Sequence, residues 1–243
     1  MCRILPGFSL TARHPAARPT VGTPMGELSF GAVVGPWAVP EVPEELFELP
    51  SGARVARWSH PLAELELLIG RFDPELDPEV WEPLTDCWAG VWRIDARAPL
   101  AGVTFSASLP PVLPPGAETG YDGGQGQASI TVEYDGTKLT LGGPDEEQLC
   151  HEAQQTGEVP KRWAELLDEV YAKWPHLDWG VDYGDYHGLR WTLPALEPGE
   201  HCVLAVTAAW SPDDNADDAN TFFAVGGSAA WVLGRLARTE GQS

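Results

Sequence analysis

The sequence predicts an α+β fold, a mainly antiparallel sheet with two to three helices packed on one face. Three observations lead there. Strand-like runs gather before and after a pair of helical segments, without the regular strand–helix–strand alternation that makes a parallel sheet. Hydrophobic residues make up 43% of the 243 and charged residues only 21%, so the chain has the apolar surface to form a core. Glycine (26) and proline (23) are both frequent, which predicts many turns and short elements.

The opening MCRILPGFSLTARHPAARP is basic and rich in proline, and its apolar stretch is broken by Pro6 before it resembles a secretory leader. Residues 1–25 read as a disordered extension, with translation from Met25 as the alternative. Residues 26–243 read as a single acidic domain. Segments 53–58 and 64–72 read as strands around Ser59-His60-Pro61, the second alternating Leu65, Leu67 and Ile69 with Glu64 and Glu66, although a helix competes there. FDPELDPEVWEP (72–83) carries three prolines and five acids and reads as an acidic loop or one helical turn anchored by Trp81. Segments 88–96 and 101–108 read as an adjacent strand pair. The proline- and glycine-rich tract 109–127 reads as a linker or long loop, where the domain would divide into two subdomains if it divides at all.

Beyond it, 128–134 and 137–141 flank Asp135-Gly136, a strong hairpin signal. Pro144, Asp145, Glu146 and Glu147 suit a helix start, because carboxylates complement the positive end of the helix dipole, and Gly157 suits its stop. From Pro160 to Trp174, apolar residues at Trp163, Leu166, Leu167, Val170, Tyr171 and Trp174 follow helical spacing, and Pro175 ends the run. Segments 201–210 and 221–225 read as strands, and Ser228 reads as the cap of a last helix through Arg238.

Charge bears most directly on function. Acids outnumber bases 36 to 15, a formal net charge of −21, and residues 1–26 hold three arginines and no acid, so the rest is more acidic still. Such a field repels phosphate backbones and anionic membranes and speeds encounter with basic proteins at low salt. Nucleic acid and membrane are therefore not expected as direct ligands. No apolar run nears the roughly 20 residues that span a bilayer, so the cytoplasm is the expected location. Four separated cysteines without a CxxC pair suit buried thiols rather than a disulfide framework.

Four constellations stand out. The loop PDDNADDAN (212–220) crowds Asp213, Asp214, Asp217 and Asp218 after a strand. It fails the calcium-loop pattern, which needs a glycine at its sixth position where Asp218 stands, and it suits contact with a basic partner. The second, 178–187, combines Asp178, Asp182 and Asp185 with His187, Trp179 and Tyr186, types that serve either a recognition loop or a metal-assisted or general acid–base site. Third, Cys150-His151 and His201-Cys202 would make a zinc set only against strand geometry, since neighbours on a strand point to opposite faces. Fourth, the chain holds eleven tryptophans. Trp163 and Trp174 are expected on the buried helical face, and Trp81 and Trp179 are expected exposed. No phosphate-cradling loop, dinucleotide fingerprint, nucleophile elbow or HExxH is present.

The sequence thus points to an acidic cytoplasmic binding protein that recognises a basic protein, an immunity- or antitoxin-type inhibitor being one concrete form. Asp178, Asp182, Asp185, Asp213, Asp214, Asp217 and Asp218 would supply rim charge and Trp179 and Tyr186 the anchors, with no cofactor or metal. The alternative is a metal-dependent hydrolase or carbohydrate-active enzyme that uses Asp182, Asp185 and His187.

Overall fold

The computed structural model describes residues 2–4, 10, 12–212 and 219–241. The described strands, in order, are β1 (Ala12–His14), β2 (Thr20–Thr23), β3 (Gly26–Val34), β4 (Trp37–Ala38), β5 (Glu45–Glu48), β6 (Arg54–Ser59), β7 (Ala63–Arg71) and β8 (Asp86–Ala96). They continue as β9 (Val103–Ser108), β10 (Glu118–Gly124), β11 (Gln127–Tyr134), β12 (Thr137–Pro144), β13 (Gly180–Asp182), β14 (Gly188–Thr192) and β15 (His201–Pro212). Four helices accompany them: α1 (Glu146–Gln155), α2 (Leu167–Lys173), α3 (Asn220–Val225) and α4 (Ala229–Gly241).

All pairings are antiparallel and make two sheets. One has nine strands in the order β1-β5-β6-β7-β8-β15-β12-β11-β10; the other runs β13-β14-β9-β3-β2, with β4 beside β3. Their facing sides share one apolar core. Trp92 of β8 stacks on Phe105 of β9 with ring centres 5.1 Å apart, and both are buried. Gly90 of β8 lets the sheets approach, because a Cβ there would come within 2.2 Å of the Phe30 ring. The central strands are also covered from behind. β15 is buried at every residue from Cys202 to Ser211, since its even-numbered side chains enter the inter-sheet core while Val203, Ala205 and Ala209 pack with Val225, Val232 and Leu236 of α3 and α4. A strand buried on both faces reads as a continuous apolar run rather than an alternation.

The expected α+β class is therefore corrected. The chain is 44% strand and 18% helix, and the broad face that helices were expected to cover is covered by a second sheet. Segments 88–96 and 101–108 are strands but not neighbours: β8 pairs with β7 and β15, and β9 pairs with β3 and β14. Segment 221–225 is helical, α3, and buries Thr221, Ala224 and Val225. The stretch 160–174 opens as a 3₁₀ helix, Lys161–Leu166, before α2 begins. Three residues per turn shift the phase of the apolar pattern; Trp163 and Val170 are buried while Tyr171 and Trp174 are exposed.

Two local readings match the structure. Asp135 and Gly136 both take positive φ, +49° and +67°, and close the β11–β12 hairpin. Asp145 caps α1 by accepting the Gln148 N–H at 2.8 Å. Within the leader, β2 pairs with β3, and Cys2, Ile4 and Met25 are buried. Within the tract 109–127, residues 118–124 are β10 and pair with β11. Among the described residues no helix is long and apolar enough to cross a membrane.

Candidate functional site

Three prolines keep residues 72–86 out of regular structure, and the loop is held by bonds from its surroundings. Phe72 donates its N–H to the Cys87 carbonyl at 3.1 Å, and Thr85 donates to Trp210 at 2.8 Å. Asp73 and Asp77 each accept the N–H two residues on, at 2.7 and 2.9 Å, which tightens the loop locally. Glu75 takes Arg238 of α4 at 2.8 Å and also pairs with Arg235. Trp81 packs on Phe223 of α3 with ring centres 4.7 Å apart, and Asn220 donates to the Glu82 carbonyl at 3.2 Å.

Held this way, the loop arches over a cleft of about 660 Å³. Phe72, Leu76, Trp81 and Leu84 give it an apolar lining, and Asp73, Glu82 and Asp86 bring carboxylates to it. Arg71 pairs with Asp86, whereas no described lysine or arginine pairs with Glu79 or Glu82. Cys87 also lines the cleft, but burial, then Asp86 and Asp73, push its thiol far above its usual range, so it stays protonated and is a poor nucleophile. A pocket of this size with an apolar floor and a few charged groups is the form that binding sites take.

Of the residues singled out by sequence, Asp213, Asp214, Asp217 and Asp218 lie outside the described residues. Their flanks do not. Pro212 pairs with Thr137, and Asn220 reaches Glu82, so both flanks sit at the cleft end of the molecule. The 178–187 constellation sits at the other end of β12. Trp191 of β14 donates Nε1–H to the Pro144 carbonyl at 2.7 Å, and Glu146 accepts the Val181 N–H at 2.8 Å. Eight strand residues separate Thr137 from Pro144 inclusive, a span of about 23 Å at roughly 3.3 Å per residue. The described flanks of 213–218 and the 178–187 segment thus lie toward opposite ends of β12.

Within 178–187, Asp178 is exposed, but Trp179, expected exposed, is only 8% exposed and joins the inter-sheet core. Gly180 follows at φ +127° with its missing Cβ 2.1 Å from Glu146, a place that only glycine fits. Asp182 pairs with Arg190 and accepts the Gly184 N–H at 3.1 Å. That arginine, with the Gly184 bond, holds its carboxyl below the usual range, which makes it a weak base. His187 places Nδ1 3.2 Å from the Pro110 carbonyl. Asp185 lies in the 3₁₀ turn Gly184–Tyr186 between them.

Tyr186 stacks on a ring that the sequence does not single out. Tyr121 of β10 lies parallel to Tyr186, centres 5.8 Å apart and planes 10° apart, and Tyr183 approaches Tyr121 at 5.6 Å. Tyr121 is 66% exposed and Tyr186 38%. Tyr121 was hidden inside the tract read as a linker; its signal was an aromatic residue amid glycines.

The cysteine–histidine pairs do not converge. His151 faces Glu147 at 3.3 Å, His201 meets the Gly157 carbonyl at 2.8 Å, and both adjoining cysteines are buried. Among the described residues no group of three histidine, cysteine, aspartate or glutamate side chains is placed to hold a metal ion.

No protein-family model and no curated protein matches the chain. Among solved structures it is similar to a chain described as a kojibiose phosphorylase from human microbiome, at 10% identity and a TM-score of 0.44. The likeness covers 90% of this chain and 26% of that one, so this chain spans about a quarter of that protein's length. A likeness this distant carries no functional argument.

Proposed function

We propose that this chain is a non-enzymatic acidic binding protein that recognises a basic protein through the cleft beneath residues 72–87, and that an immunity- or antitoxin-type inhibitor is the form to test first. The cleft carries the proposal: one site offers apolar seats for an anchor side chain and carboxylates to receive flanking lysine or arginine. Glu79 and Glu82 have no described basic partner, so their charge is available to a ligand. The net charge of −21 adds long-range attraction that accelerates encounter with a cationic surface. The cytoplasm remains the proposed location.

The test compares the parent chain with the double variant Glu79→Lys, Glu82→Lys as bait in native lysate at low salt. The expected result is a stoichiometric basic protein, released by moderate salt and captured at least about tenfold less by the variant, consistent with two reversed charges at a steered interface. Association kinetics with the captured protein then locate the loss in the on-rate. Equal capture by both baits would reject the cleft as the recognition site.

A further inference from the structure

We propose that Tyr121 and Tyr186 form a second contact, a stacking platform for an arginine side chain of the basic partner, at the end of β12 away from the cleft. Their rings are parallel and exposed, and Tyr183 approaches Tyr121 at 5.6 Å. Gly123 lies on the same face of β10 as Tyr121 and adds no side chain beside the rings. Tyr186 holds its place at φ +63°, the left-handed region that a tyrosine adopts only when its surroundings impose it.

The chemistry of the surroundings selects the ligand. Residues 109–127 contain Glu118 and Asp122 and no lysine or arginine, and 178–187 contain Asp178 and Asp185 besides Asp182, whose charge Arg190 offsets. Burial first, then the charges of Glu146 and Asp145, raise the Tyr183 phenol above its usual range. An anion is disfavoured here. A guanidinium is favoured, because it is planar, weakly hydrated and attracted to the negative face of an aromatic ring. Lysine carries the same charge but stacks less well, which makes arginine the ligand that the paired rings fit.

The reading of a basic partner supplies the ligand class, but the test uses an isolated side chain and so does not depend on the cleft. Acetyl-Gly-Arg-Gly-amide, its citrulline counterpart and a neutral disaccharide are titrated into the full chain while the ring protons of Tyr121, Tyr183 and Tyr186 are followed by NMR. Citrulline matches arginine in shape without its charge. The arginine peptide should shift these rings saturably and bind at least about threefold more tightly than the citrulline peptide, Tyr121→Ala should weaken it about two- to fivefold, and Tyr121→Phe should retain it. The same titration should be unchanged in Glu79→Lys, Glu82→Lys, which separates this site from the cleft. Equal binding of citrulline, shifts with the disaccharide alone, or no shift with any probe would overturn the platform.

Discussion

The carboxylate of Glu66 accepts the backbone N–H of Ile4 at 3.1 Å, fastening the leader to the back of the nine-stranded sheet. Glu66 is only 3% exposed and also accepts the Arg3 N–H at 2.8 Å and Arg57 Nε–H at 2.7 Å. Cys2 and Ile4 pack beside it against Leu68 and Val91. The carboxylate thus gathers three donors from two segments, donors that would otherwise lose water without gaining a partner.

Glu66→Ala should remove that acceptor and destabilise the fold by about 3 kcal/mol, because buried donors are left unsatisfied and a half-buried guanidinium loses its countercharge. Glu66→Gln keeps one acceptor and should lose less. Urea denaturation of the three proteins measures both. A Glu66→Ala midpoint indistinguishable from the parent would mean that the leader contributes nothing to stability.

Glu152 offers the opposite case, a buried carboxyl without a countercharge. It is 1% exposed on α1, no lysine or arginine pairs with it among the described residues, and burial, opposed only in part by Gln148 and the Ala229 N–H, pushes its pKa up to about 7 from an ordinary 4.5. A raised pKa means that the folded protein binds the proton more tightly than the unfolded chain. The associated stability is fully present below about pH 4.5 and fades as pH rises through about 7, by about 3 kcal/mol in all. Glu152→Gln should therefore be more stable than the parent above pH 7, and the gap should close toward pH 4.5. Thermal denaturation of both between pH 4.5 and 8 reads the difference directly; parallel curves would show that Glu152 does not titrate in this range.

Local chemistry was legible wherever a few neighbouring residues decide the structure. Asp135-Gly136 announces its hairpin because both positions need positive φ, and Asp145 announces α1 because a carboxylate satisfies the free N–H groups of the first turn. The second sheet was not legible. β8 and β9 are both apolar strands close in sequence, and nothing local records that one pairs with β15 and the other with β3. The run 221–225, TFFAV, has strand-forming composition; tertiary burial of Thr221, Ala224 and Val225 on β12 and β15 overrides it. At the candidate site, the acidic loop and Trp81 could be read directly, but its closure by Arg238 on Glu75 spans 163 residues, and no sequence period encodes a contact at that distance. Trp179 misled for a related reason: acids flank it in sequence, while the fold turns its ring inward.

The anchor of the proposed cleft is Trp81, and its two roles can be separated. Its ring is half-buried against Phe223, and aromatic pairs of this kind contribute about 0.5–1.5 kcal/mol beyond their buried area. Trp81→Ala should therefore lower stability only modestly, by about 1–2 kcal/mol. Its effect on binding should be larger, because a tryptophan seated among partly exposed apolar residues and ringed by charge is the type whose truncation costs about 2 kcal/mol or more, about thirtyfold in Kd. Val80, the neighbouring residue, is 62% exposed and does not line the cleft, so Val80→Ala should change neither quantity. Affinity for the captured partner, measured alongside urea denaturation, tests the pair. A Trp81→Ala chain that binds as tightly as the parent while remaining folded would show that the partner does not use the apolar floor, and that charge alone accounts for its recognition.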